Sequence, residues 1–252
     1  MGEIKTSTVS SVEKAIDILL ALQSENKKSI RELGEELNIS KSALHRTLQT
    51  LESRGLVRQD GVTEKYALGY KILELSESLQ KDIEIRKLAY EDMEELRDLI
   101  GDTVQLSIID NDSILIIETI DGTNALRVFS RAGKRHPITY GNIGKVFLSQ
   151  KSPKEISKYL EKAPLIQYAS KSIMDAEVFL EKIKEVKRKG ISTSVDDPME
   201  GAFGIAVPIC NSHGEIIAVL SISGVKRFQN EGLIKLENLA KLYAAKISEK
   251  FK

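Results

Sequence analysis

One cysteine, Cys210, stands among 252 residues. A lone thiol excludes an internal disulfide and a cysteine-rich zinc site, and it suits a reducing compartment. Long apolar runs are also missing. Nothing nears the roughly 20 residues that span a bilayer, and the polar stretch from Met1 to Ser11 lacks a signal-peptide pattern, so a cytoplasmic chain with no membrane partner is expected. Charge of either sign is not in excess: 37 Lys and Arg balance 37 Asp and Glu, and residues 1 to 70 hold ten of each. Net charge therefore offers no argument for nucleic-acid binding. His45, His136 and His213 are too scattered for a zinc site, and neither repeats nor low-complexity segments occur. The 41% hydrophobic and 29% charged residues can build one large or two modest domains.

Locally, charge is distributed less evenly. From Ser40 to Arg58, Lys41, Arg46, Arg54 and Arg58 face Glu52 alone. This basic patch falls within a recognisable pattern. Ser11 to Gln23 is amphipathic on Val12, Ala15, Ile16, Leu19, Leu20 and Leu22, a surface broader than one small core requires, so part of it is expected to meet a second copy. Ser29 with Glu32 forms a capping box ahead of Ile30, Leu33 and Leu37. Asn38-Ile39 breaks that helix and Ser40 caps the next. There Leu44, Leu48 and Leu51 make one stripe, while Ser42, His45, Arg46 and Gln49 make another at helical spacing. The second stripe carries donors for bases and phosphates, the residue mix of a major-groove helix. Val57-Arg58-Gln59, a turn at Asp60-Gly61, and Lys65 to Leu68 then read as a hairpin, with Arg58 and Lys65 placed for backbone contact.

A helix from about Tyr70 to Lys81 follows on Ile72, Leu75 and Leu79, and another runs from about Asp82 to Ile100. Strands are expected at Thr103 to Ile109, Ile114 to Ile120 and Ala125 to Ser130, and Arg131 to Thr139 reads as a loop. Helices at Asn142 to Ser149, Pro153 to Glu161 and Asp175 to Lys189 precede strands at Ile191 to Val195, Phe203 to Cys210 and Glu215 to Ser223. A helix from Asn230 to about Lys250 closes an α+β architecture with a mostly antiparallel sheet.

The sequence resembles the IclR family of transcription regulators. The resemblance rests on Val12-Glu13-Lys14-Ala15, Ile18-Leu19, Ile30-x-Glu32-Leu33, the run Ile39-Ser40-Lys41-Ser42-Ala43-Leu44-His45-Arg46-x-Leu48-x-x-Leu51, and Tyr66-x-Leu68-Gly69. It implies a winged helix-turn-helix over 9–70, a linker helix over 71–83 and a GAF-like mixed α/β effector-binding domain with a mostly antiparallel sheet over 84–252. It implies operator DNA, a small-molecule effector and a second copy of the chain as partners, with dimers pairing into tetramers and repression favoured over activation. Arg31, Ser40, Lys41, Ser42, His45, Arg46, Gln49, Arg58 and Lys65 are the candidate DNA contacts.

For the effector, three features converge. Gly141-Asn142-Ile143-Gly144 opens a helix whose free amides suit a carboxylate. Ser221 and Ser223 share one face of a strand, and Gly201 and Gly204 leave room beside the partner strand. The resemblance adds Ser194 to this set, and Leu126, Val128 and Phe129 are candidates for an apolar wall. Ser194 and Gly204 stand where keto-acid-binding members carry aspartate and cysteine. Those departures imply a pocket of altered polarity and larger volume, so that ligand class is not transferred.

Other chemistries fit poorly. Gly141-x-x-Gly144-Lys145 is too short for a phosphate loop, and Val146 replaces its Ser/Thr. Asp196, Asp197 and Glu200 read as a solvated loop rather than a metal site, and Cys210 has only His213 nearby. No cofactor and no catalytic set are expected. The rival readings are a small-molecule-processing enzyme with an accessory nucleic-acid module, and an adaptor whose helix pair docks a protein.

Overall fold

The computed structural model describes residues 9–24, 27–128, 131–227 and 230–252. Contacts divide the chain into two compact units, Met1–Ile83 and Glu84–Lys252. The expectations for residues 1–8, Phe129 and Ser130 lie outside the described residues.

The first unit contains α1 (Ser10–Ser24), α2 (Ile30–Leu37), α3 (Lys41–Ser53), β1 (Val57–Gln59), β2 (Tyr66–Leu68) and α4 (Lys71–Asp82). The capping box forms: Ser29 Oγ accepts from the Glu32 amide at 3.2 Å, and the Ser29 amide donates to Glu32 Oε2 at 2.6 Å. Asn38 ends α2 in the left-handed region, φ 52°, a conformation its short polar side chain tolerates. Ile18 and Leu22 of α1 meet Leu33, Leu44, Leu48 and Leu51, with Val57 and Tyr66 closing the cluster. Leu33, Leu44 and Leu48 are fully buried, and truncating one to alanine is expected to cost about 2–5 kcal/mol.

The wing differs from a two-residue Asp-Gly turn. The chain turns over the longer stretch between Asp60 and Lys65, where the Asp60 amide donates to the Lys65 carbonyl at 2.8 Å. The Asp60 carboxylate accepts from the Val62 and Thr63 amides. Glu64, not Gly61, takes the left-handed position, with φ 56°. An aspartate that satisfies two turn amides with its own side chain favours this wider loop.

The second unit opens with α5 (Glu84–Ile100), ended by Gly101 at φ +73°. Its sheet strands are β3 (Thr103–Asp110), β4 (Ser113–Ile120), β5 (Arg135–Pro137), β6 (Ser192–Val195), β7 (Ala202–Cys210) and β8 (Ile216–Val225), and its remaining helices are α6 (Gly141–Leu148), α7 (Pro153–Lys162), α8 (Ala176–Lys189) and α9 (Asn230–Glu249). The strands lie in the order β5-β4-β3-β8-β7-β6, every neighbouring pair antiparallel. Val146, Phe147, Phe179, Ile183 and Val186 from α6 and α8 pack with Ala206 and Val219 on one face. Helices α5 and α9 contact the sheet and each other.

Two expectations between β4 and α6 change places. The described part of the stretch expected as a third strand, 125–128, is not a strand, and β5 lies in the stretch expected as a loop. Ala125, Leu126 and Arg127 are exposed and have no face to bury. The Val128 carbonyl accepts from Thr103 Oγ1 at 2.9 Å, a side-chain anchor rather than a ladder bond.

Candidate functional site

On α3 the two stripes separate as the spacing requires. Leu44, Leu48 and Leu51 are buried, whereas Lys41, Ser42, His45, Arg46 and Gln49 are exposed. Ser40 occupies the N-cap position without a side-chain cap, its Oγ lying 3.4 Å from Ser42 Oγ. Among the described residues, no hydrogen bond or ion pair holds the side chains of Lys41, His45, Arg46 or Gln49. The cations outside α3 are differently placed. Arg31 bonds Glu35 at 2.8 Å, Lys65 lies 3.7 Å from Glu32, and the Arg58 guanidinium sits 5.3 Å over the Tyr70 ring. The wing is thus less available as a positive surface than its sequence suggests, because its two cations have partners within the protein.

In the second unit a cavity of about 120 Å³ lies between the start of α6 and the sheet. The strand registers explain its floor. One cross-strand row is Thr119, Gln105, Ser221, Ala206 and Ser192, and the next is Thr103, Ser223, Gly204 and Ser194. Directly opposed residues share a face, so polar groups from several strands collect on the α6 side. Gln105, Ser221 and Ser223 line the cavity, and the Gln105 amide nitrogen and both serine hydroxyls are buried without a protein partner. Buried polar groups are nearly always satisfied. Three unpaired ones around one cavity mark a place built to receive hydrogen-bonding atoms.

Gly141, Asn142 and Ile143 form the adjoining wall. The first turn bond of α6 runs from the Gly144 amide to the Tyr140 carbonyl at 3.1 Å. The three preceding amides lie outside the intrahelical ladder and give the cavity a positive edge. His136 stacks on Tyr140 with ring centroids 3.9 Å apart. Burial, aided by Lys134, lowers the His136 pKa to about 4, which keeps the ring neutral near pH 7.

The remaining expected effector residues divide. Ser194 does not line the cavity but supports its wall: Ser194 Oγ accepts from Asn142 Nδ2 at 2.6 Å and donates to the Asp197 carbonyl at 2.6 Å. Asn142 also donates to the Gly204 carbonyl at 2.9 Å and accepts from Ser192 Oγ at 2.8 Å. Leu126 is 73% exposed and absent from the lining, because the segment expected as a strand does not form there. Val128 does reach the cavity. Beside Gly204 the space is taken up, since a Cβ there would stand 3.0 Å from Asn142 Nδ2. The asparagine occupies the room that the glycine leaves.

Gln105, Lys134, His136 and Tyr140 are lining residues that the sequence reading missed. For Gln105 a signal existed: Thr103, Gln105 and Ser107 repeat at period 2 in an otherwise apolar strand. Among the described residues there is no group of three or more His, Cys, Asp or Glu suited to a metal ion. No described helix is long and apolar enough to cross a membrane.

Comparison with known proteins places both units in one family. Residues 11–61 match the IclR helix-turn-helix domain, and residues 78–249 match the bacterial transcriptional regulator IclR C-terminal domain. The chain is 36% identical over 242 residues to the HTH-type transcriptional regulator KdgR of Escherichia coli, covering 96% of this chain and 92% of that protein. The crystal structure of Thermotoga maritima IclR superposes with a TM-score of 0.79 at 25% identity, covering 96% of this chain and 98% of that one. An IclR homologue from Microbacterium hydrocarbonoxydans, solved with 4-hydroxybenzoate, gives 0.83 at 21% identity, covering 96% and 98%. The exposed polar face on its buried leucine stripe lies within the first matched region and the polar-floored cavity behind a helix start within the second: the chain belongs to the IclR family of helix-turn-helix transcription regulators with a C-terminal effector-binding domain.

Proposed function

We propose that the chain is a cytoplasmic repressor that binds operator DNA as a homodimer and changes its affinity when a small anionic molecule enters the effector cavity. The face of α3 that leaves Arg46 and its neighbours free carries this reading. Arg46 and Gln49 read base edges, Ser42 and His45 flank them, and Ser40 and Lys41 hold phosphates. Arg31, Arg58 and Lys65 act as secondary backbone contacts that must first exchange their protein partners.

One recognition helix spans only a half-site, so two copies are needed. The exposed stripe of Val12, Ile16 and Leu20 on α1, continued by Val9 just before it, each 49–63% accessible, supports pairing through that helix. Dimers pair further into tetramers. Residues 71–83 serve as a helical linker, stiff enough to transmit a rearrangement. The effector is read by Ser221, Ser223, Gln105 and the amides of Gly141, Asn142 and Ile143. All of these can donate hydrogen bonds, which favours a carboxylate or similar anion. The relatives are named regulators, which favours sensing over turnover in the cavity. Regulation then follows from the effector's differential affinity for two dispositions of the DNA-binding modules.

The test is Arg46→Ala. A good bidentate contact to guanine is worth about 1–3 kcal/mol, and a dimer loses two. Specific operator binding should fall at least about thirtyfold in a gel-shift titration while the effector domain stays folded. Unchanged affinity would refute the assignment of α3.

A further inference from the structure

The six-stranded sheet has two edges, and their sequences differ in kind. β5 is three residues long and carries Arg135 and Pro137, features that blunt an edge against further pairing. β6 is Ser192-Thr193-Ser194-Val195, without charge, proline or glycine. Its ladder phase follows from one bond beyond the strand: the Asp196 amide donates to the Ala202 carbonyl at 2.8 Å, next to the pair Val195 and Phe203. Bonded pairs alternate along an antiparallel ladder. Ser192 and Ser194 therefore bond to β7, and Thr193 and Val195 turn their N–H and C=O groups away from it.

Those outward groups open into a groove of about 450 Å³ flanked by Lys182, Glu185 and Lys189 of α8 on one side and Glu237 of α9 on the other. The α8 wall is short of negative charge, because Lys182 and Lys189 share Glu185 at 2.9 and 2.6 Å. A second copy of β6 fits this place badly. Paired strands lie about 4.8 Å apart, whereas packed helices need about 8–10 Å, so the flanking helices of two copies would meet first.

We propose that this groove binds an extended acidic segment of a partner protein by strand addition, its backbone paired with Thr193 and Val195 and its carboxylates on the α8 wall. Alternate side chains of such a segment point to opposite walls. Acids on one side meet Lys182 and Lys189 of α8, and the other side carries no acid because Glu237 of α9, which accepts from Thr193 Oγ1 at 2.7 Å, faces it.

The probe is a fluorescein-labelled peptide, acetyl-Val-Glu-Val-Glu-Val-amide, titrated by fluorescence polarisation against the full-length chain. Saturable binding is expected. It should weaken at least tenfold when the peptide is N-methylated at its pairing positions, when lysine replaces glutamate in it, and in Thr193→Pro. Proline at 193 removes an outward N–H and spares the bonds to β7. Lys182→Glu with Lys189→Glu is a second, surface variant expected to act in the same direction. Each variant's melting temperature reports whether the fold is kept. No saturable binding up to millimolar peptide would overturn the proposal, as would equal binding by the N-methylated or lysine peptide. Dissociation of an oligomer by Thr193→Pro in sedimentation would overturn it too, because the edge would then be a contact between copies.

Discussion

Replacing Ser221 and Ser223 together by alanine separates a binding role from a structural one by the sign of the stability change. Ser221 is 5% exposed, and neither hydroxyl has a protein partner. A buried polar group left unsatisfied costs about 1–3 kcal/mol. Water reaching the cavity recovers part of that cost. Removing both hydroxyls from the unliganded protein should therefore be neutral or stabilising, by up to about 2 kcal/mol. For a domain of this size, 1 kcal/mol corresponds to about 2–4 °C in melting temperature, so the transition should stay in place or rise by several degrees.

Effector affinity should move the other way. A hydrogen bond to a charged group contributes about 1.5–3 kcal/mol, so losing two should raise Kd at least a hundredfold. The ligand for this assay is whichever member of a small-acid panel most raises the melting temperature of the unaltered chain. Gln105→Leu should behave alike in both measurements, since its amide nitrogen also lacks a partner. A double serine variant that melts several degrees lower and still binds the acid normally would show that the hydroxyls hold the sheet together rather than read a ligand.

The other expectations concern self-association, acid and packing. Val12→Glu with Ile16→Glu should shift the chain toward smaller species in sedimentation velocity, since both residues are about half exposed on α1; an unaltered distribution would remove α1 from the interface. The folded-state pKa of His136, about 4 against an ordinary 6.5, means that its contribution to stability is whole above pH 6.5 and is lost as the pH falls toward 4. His136→Gln should flatten that part of the urea-stability profile, and an identical profile would contradict it. Gly204→Ala should destabilise the chain alone and do so less in an Asn142→Ala background. Strict additivity within about 0.5 kcal/mol would deny that the two compete for the same space.

Much of this was legible before the fold because it depends on neighbours in sequence. The capping box at Ser29, the stop at Asn38 and the two stripes of α3 are set by residues within a turn or two of each other. The strand interiors were legible by their apolar character. What escaped depends on register between distant segments. Gln105 joins the cavity floor only because it lies opposite Ser221. Nothing near Arg58 and Lys65 in sequence points to their partners, Tyr70 and Glu32. The third strand failed because β-propensity at Leu126 and Val128 had no sheet face to meet, whereas Arg135–Pro137 reached the β4 edge despite a proline.

The departures at Ser194 and Gly204 show how such long-range terms alter a functional reading. Taken singly, loss of an acidic anchor and of a side chain implies a larger and less charged pocket. In the fold the two changes act through one residue. Asn142 spans from α6 to β6 and β7, with bonds to Ser192, Ser194 and the Gly204 carbonyl, and fills the space beside the glycine. Both hydrogens of its amide nitrogen are used there, so the donors left for a ligand are the backbone at the start of α6 and the hydroxyls and amide of the floor. On the proposed reading, most of the donors that would meet an effector here carry no charge of their own. Among the described residues, Lys134 is the charged donor in its lining, and Asp197 lines it too. For the proposed effector, an anion of few atoms held mainly by oriented dipoles, with Lys134 as its charged neighbour, is the ligand that such a lining suits best.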